Sequence, residues 1–208
     1  MEPGINQALI LIVYVSILVE LTLLHVPSVA STYQLFFYSD KTDNGPLMVR
    51  VKRWPAWIKI PLLFIPTLIS VILYLLPLLF VFLPVSQSWF NVIHVGVSVQ
   101  YAGWGIVIIG RILAIFSVLQ IRKSNSQLGN QFSLKTKGLF RLSRNPILLG
   151  MYITYLGWLV LFPNWIMGLG FIVYFVNMHF RILLEEDFLQ QKFGDNFKNY
   201  LQGTNRYF

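Results

Sequence analysis

The acids best placed to do chemistry stand together near the end of the chain. In "RILLEEDFLQQKFG", Glu185 and Glu186 are adjacent, and Asn177 and Arg181 precede Glu185 at intervals of four. Residues four apart share a helix face, so Asn177, Arg181 and Glu185 form one polar stripe. His179 and Glu186, two turns apart, form a second. The adjacent carboxylates point in different directions, and partly dry surroundings can hold both. A plainer reading pairs Arg181 with Glu185 at an interface, a contact worth little.

A second constellation lies upstream in "GLFRLSRNPILLG", residues 138–150, where Arg141 and Arg144 precede Asn145 and Pro146. Asn suits a helix cap and Pro the first helical position, where no amide is needed. Arginines beside a helix N-terminus attract a carboxylate or phosphate; they equally mark one side of a membrane. In "GWG", Gly103 and Gly105 lie about 200° apart on a regular helix and cannot face one ligand without distortion. His25, His94 and His179 fall on separate segments and form no metal motif. Arg111, about 20 residues into its apolar run, is expected at an interface, where snorkelling accounts for it. With no cysteine, the chain has no disulfide, thiolate metal site or Cys nucleophile. No Ser-His-Asp or phosphate-loop pattern stands out.

These residues must be positioned by membrane helices. The 208 residues are 56% hydrophobic and 12% charged, far from the balance of a water-soluble domain. Apolar runs cover 5–26, 60–85, 91–110, 146–162 and 165–184, and a span needs about 20 residues. The fold expected is all-α integral membrane, with about five spans. The run from Pro146 is short and crosses with little tilt. The flank "MEPGINQ" carries an acid and no base, unlike a cleavable signal peptide. Pro61, Pro66 and Pro77 predict kinks in the second span. Glu20 and His25, near the end of the first, are read as solvated.

Two portions follow from this layout. Residues 1–121 hold three spans and a basic loop, 27–59. Residues 122–208 hold a second basic loop, a helical hairpin over 146–184 turned at "FPNW", and an amphipathic tail. The tail repeats Leu184, Phe188, Phe193, Phe197 and Leu201 at helical spacing and is expected on the membrane surface, broken near Gly194. Gly96, Gly103 and Gly110 recur every seven residues, as do Gly150 and Gly157, so the third and fourth spans should pack closely.

The net charge of +8 reads as topology rather than nucleic-acid binding. The first loop holds Lys41, Arg50, Lys52, Arg53 and Lys59 against Asp40 and Asp43. The second holds Arg122, Lys123, Lys135, Lys137, Arg141 and Arg144 with no acid, and the connections between them are uncharged. Positive-inside places both basic loops and the C-terminus in the cytoplasm and the N-terminus outside. Anionic headgroups are further partners of the basic loops.

Taken in order, "GLFRLSRNP", a short hairpin, "RILLEEDFLQQKFG", "NY" and "NRYF" resemble the isoprenylcysteine carboxyl methyltransferase family of integral membrane methyltransferases. The resemblance covers roughly residues 135–208. It implies an S-adenosylmethionine-dependent enzyme acting on a lipophilic, isoprenylcysteine-like acceptor, with the cofactor at the cytoplasmic end of the bundle. Glu185 and Glu186 would engage the cofactor's ammonium or ribose hydroxyls, and Asn145 and Pro146 would border it. Arg144, Glu185 and Arg206 would be the catalytic set, with Arg141 and Arg181 toward the substrate. The related phospholipid methyltransferases pair a Gly-x-Gly with a Glu-Glu, an order matched by Gly103, Gly105, Glu185 and Glu186. Asn145 replaces the usual His and cannot titrate, and Leu148 stands where a Tyr often follows. The rival readings are a phospholipid-amine or small-thiol methyltransferase, a nicotinamide-dependent sterol-type reductase, and a membrane scaffold. The membrane itself, bacterial or archaeal inner membrane or endoplasmic reticulum, and the oligomeric state are left open by the sequence.

Overall fold

In the computed structural model, the described residues are 3–23, 46–127 and 134–207; His25 at the end of the first apolar run and Asp40, Lys41 and Asp43 of the first basic loop lie outside them. The described residues form helices and no strand. In chain order the helices are α1 (Pro3–Leu23), α2 (Pro46–Lys52), α3 (Ala56–Phe82), α4 (Val85–Trp89), α5 (Val97–Gln127), α6 (Leu139–Leu142), α7 (Pro146–Leu161), α8 (Trp165–Phe193) and α9 (Asp195–Gly203). The fold is that of an all-α membrane protein. α3, α8 and the 97–121 stretch of α5 are long and apolar enough to cross a bilayer, while Gly4–Glu20 and α7 are shorter apolar helices.

The five apolar helices follow the sequence pattern with two revisions. α5 begins at Val97 and continues well past Arg111, so that arginine lies mid-helix rather than at its end. α8 is one continuous helix through the Glu-Glu step to Phe193. The first part of the amphipathic tail therefore extends the last span, and only α9 turns away, at Gly194 with φ of 52°. α3 stays helical through Pro61, Pro66 and Pro77.

α5 and α7 form the most intimate pair, held by backbone approach. A Cβ on Gly110 would lie 2.5 Å from the Thr154 amide, and one on Gly150 would lie 2.6 Å from the Ala114 amide. Gly157 and Gly103 join the same seam, against Val107 and Leu161 respectively, whereas Gly96 has nothing within 4 Å. Small residues thus do at this interface what membrane helices require of them. The hairpin between α7 and α8 closes where the Asn164 side chain accepts from the Met167 amide at 2.9 Å, a true N-cap.

α1 is tied to this frame by polar contacts inside an apolar bundle. Trp104 Nε1 donates to Asn6 Oδ1 at 2.9 Å, and Tyr14 donates to the Tyr74 carbonyl. Arg111 pairs with Glu20 and also donates to Ser16 Oγ at 3.0 Å. Glu20 and Arg111 are 4% and 5% exposed at their side chains, so neither is solvated or snorkelling; each neutralises the other. An aromatic core of Tyr74, Tyr152, Tyr155, Trp158 and Tyr174 fills the space between α3, α7 and α8.

Candidate active site at the end of the bundle

The segment that leads into α7 is fastened to the end of the chain. The Arg144 amide donates to the Asn205 carbonyl at 3.0 Å, and both Ser143 Oγ and Asn145 Nδ2 donate to the Arg206 carbonyl at 3.2 Å. Asn145 does sit at the N-cap of α7 with Pro146 behind it, but its side chain makes no cap bond. It holds the tail instead. Tyr200 on α9 adds a hydrogen bond to the Phe140 carbonyl.

This fastening brings two arginines onto one carboxylate. Arg206 donates Nε to Glu186 Oε1 at 3.1 Å and Nη2 to Oε2 at 2.7 Å. Arg144 Nη2 lies 3.3 Å from Glu186 Oε1. The Glu186 hydrogen bond raises the Arg206 pKa above the usual guanidinium value. Fork geometry of this kind is the strong form of the interaction.

Beside the clamp lies a cavity of about 190 Å³. Lys135, Arg144, Asn145, Glu185, Glu186 and Tyr200 supply its polar wall, with Ile121, Phe140, Ile182, Leu189 and Phe197 among the apolar residues. Glu185 is exposed and makes no ion pair within 4 Å, so its carboxylate is open toward the cavity. Arg144 Nε is buried without a hydrogen-bond partner among the described residues. A buried guanidinium N–H left unmade is costly, which points to an acceptor atom from a ligand. Partial burial lowers the pKa of Lys135, and burial pushes the Tyr200 phenol up to about 12. One open carboxylate and one unpartnered guanidinium edge in one cavity suit a group bearing both an ammonium and a carboxylate.

Not every residue singled out from the sequence comes here. Arg144, Asn145, Glu185 and Glu186 line the cavity, and Arg206 reaches it through Glu186. Pro146 is buried at the first position of α7. Arg141 is exposed and outside the lining; its carbonyl accepts from Thr204 Oγ1 at 3.4 Å. Arg181 is half-buried, also outside the lining, and not ion-paired with Glu185. Gly103 and Gly105 stand 18 and 16 residues before Ile121 on α5, so roughly 24 Å or more along the axis from the cavity wall. The sequence pointed to no site role for Lys135, Phe140, Phe197 or Tyr200, although Phe197 belongs to the tail repeat and Phe140 and Tyr200 stand in the quoted "GLFRLSRNP" and "NY". Lys135 read only as a loop charge, and the contacts of α9 are long-range.

No described group of three or more His, Cys, Asp or Glu is arranged to hold a metal ion. No curated protein and no solved structure matches the chain. Residues 99–196, the stretch that carries both sides of the cavity from Ile121 to Glu186, match the model of the phospholipid methyltransferase family, and over that stretch the chain is similar to these membrane methyltransferases.

Proposed function

We propose that this chain is an S-adenosylmethionine-dependent methyltransferase acting on a lipophilic acceptor at the membrane surface. The observation that carries the reading is the pairing of an open carboxylate, Glu185, with the unpartnered Nε of Arg144 in one cavity. Both residues lie in the stretch that resembles phospholipid methyltransferases. When bound, the cofactor supplies a methyl group already activated by a sulfonium, so the protein need add mainly alignment and a dry, charge-matched cavity.

The chain's own residues divide that work. Glu185 holds the donor's ammonium, and Arg144 holds its carboxylate through the free Nε. Glu186 binds no ligand in this scheme; its clamp fixes the Arg144 guanidinium and ties the tail to α8. Phe140, Ile182, Leu189 and Phe197 exclude water from one side. The cavity is smaller than the ~300 Å³ usual for whole ligands, so it takes the amino-acid end of the donor. The basic loops and this site face the cytoplasm, and the acceptor arrives from the lipid.

The acceptor favoured is a phospholipid amine, because the family match, residues 99–196, includes Arg144 and Glu185. The isoprenylcysteine carboxylate is the second reading, carried by the order of motifs after residue 135. Purified protein is expected to be stabilised thermally by S-adenosylmethionine and not by a reduced nicotinamide; saturation at 100 times Kd is worth about 2.7 kcal/mol. Methyl-labelled cofactor should then label aminophospholipid vesicles, with prenylcysteines and small thiols as the competing arms. Absence of stabilisation by S-adenosylmethionine overturns the assignment.

A further inference from the structure

His179 and Tyr207 form a polar pair that the donor site does not use. Tyr207 Oη lies 2.8 Å from His179 Nδ1, and the two rings pack with Phe175 and Tyr152. The tail runs antiparallel to α8, so Arg206 meets Glu186 while Tyr207 meets His179, seven residues and roughly 10 Å further into the bundle. Next to the pair, α8 presents an apolar outer surface: Ile172 is 59% exposed, Phe175 38% and Val176 61%. Tyr207 packs on Phe175 of that surface, while its neighbour Arg206 reaches Glu186 of the cavity wall.

Resting on the amine reading above, we propose that Tyr207 and His179 are a proton relay on the acceptor side of the site. A lipid ammonium cannot attack a methyl group until it loses a proton. Tyr207 Oη accepts that proton while passing its own to His179 Nδ1, which leaves a neutral amine, an intact phenol and an imidazolium. The amine nitrogen then bonds to the methyl carbon, and the donor's carbon–sulfur bond breaks with its electron pair going to sulfur. Burial holds the Tyr207 pKa above the ordinary tyrosine range, so the phenol is protonated, and the relay uses the His179 tautomer whose Nδ1 accepts from it. The groups facing the pair are Tyr152 from α7, Arg206 from the tail and Glu186 from α8, with Arg144 behind Glu186. Arg181, two residues on, lies about 200° around the helix.

The test compares wild type with His179→Gln and Tyr207→Phe, both of which keep the packing volume. Donor affinity is measured by calorimetry and kcat is followed against pH on phosphatidylethanolamine vesicles. We expect donor affinity within about twofold of wild type in both variants and kcat lower by about 100-fold near neutral pH. The deficit should shrink toward alkaline pH, where the acceptor amine loses its proton unaided, so the rise of kcat with pH should move to higher pH in both variants. A kcat deficit equal at every pH, or none, overturns the relay alone. Wild-type protein that binds donor but methylates prenylcysteine and no amine lipid overturns the amine reading, and the relay with it, because a carboxylate has no proton to give up.

Discussion

Arg206 grips Glu186 through both carboxylate oxygens, across 20 residues and a change of helix. Arg144 shares the same carboxylate at 3.3 Å, so one acid from α8 holds both the entry to α7 and the end of the chain. The two members of the Glu-Glu step therefore have different tasks. Both line the cavity, but Glu186 is taken up by two arginines and Glu185 makes no ion pair, so the proposed function gives the fastening to one and the donor to the other.

That difference predicts a split between neighbouring substitutions. Glu186→Gln leaves two arginines facing an uncharged amide and should cost about 1.5–3 kcal/mol of stability. Glu185→Gln removes no ion pair and should leave the melting temperature nearly unchanged while weakening donor binding tenfold or more. Differential scanning fluorimetry and a donor-binding isotherm on both variants separate these effects. The reverse pattern, with Glu185 structural and Glu186 binding the donor, would undo the assignment.

A buried charge pair carries a second expectation. Glu20 and Arg111 are closed off from water among α1, α3 and α5, and Arg111 Nη1 has no hydrogen-bond partner among the described residues. Removing one partner strands the other, so Glu20→Gln should lower stability by about 3–5 kcal/mol. The double change Glu20→Gln with Arg111→Met should recover most of that loss. Melting curves of the two singles and the double decide it; simple additivity would mean that the residues do not act as a pair.

How much of this was legible in the sequence depends on the range of the contact. The Pro146 helix start, the turn into Trp165 and the break at Gly194 are written in local chemistry and stand where the pattern put them, while the runs from 91 and 165 extend as helix to Gln127 and Phe193. The seven-residue glycine spacing likewise named the α5–α7 seam, because a helix face can be read from its period. Contacts between distant segments could not be read that way. Glu20 and Arg111 are 91 residues apart, and nothing local distinguishes a paired intramembrane acid from a solvated one. Asn145 looked like a helix cap because its neighbours fit one, and only the arrival of the tail explains why its amide turns to the Arg206 carbonyl.

Tyr200 supplies a pH dependence. Burial raises its pKa to about 12, so the folded state favours the neutral phenol. Its contribution to stability is whole below the unfolded value near 10 and is lost as pH rises toward 12. Tyr200→Phe should cost about 1 kcal/mol at neutral pH through the lost bond to the Phe140 carbonyl. It should also flatten the fall in stability between about pH 10 and 12. Parallel alkaline titrations of unfolding for the two proteins would show the slope difference; identical slopes would place Tyr200 in water.

The glycines give the sharpest contrast, because chemically equal substitutions fall in unequal surroundings. A methyl group on Gly150 meets the Ala114 amide at 2.6 Å and the Gly110 carbonyl at 2.7 Å, both backbone atoms that no rotamer change can move. Gly150→Ala must therefore push α7 away from α5, costing about 1–3 kcal/mol. α7 carries Arg144 and Asn145 at its entry and α5 carries Ile121, so the same displacement opens the cavity and should weaken donor binding. Gly105 has nothing within 4 Å of its would-be Cβ, and Gly105→Ala should gain up to about 1 kcal/mol of helix propensity. Donor affinity should stay at the wild-type value, because Gly105 stands roughly 24 Å along α5 from the cavity wall. Melting temperature and donor affinity measured on both alanine variants test the placement of the site. Donor binding abolished by Gly105→Ala in a protein that melts normally would move the cofactor to the hairpin end of the bundle.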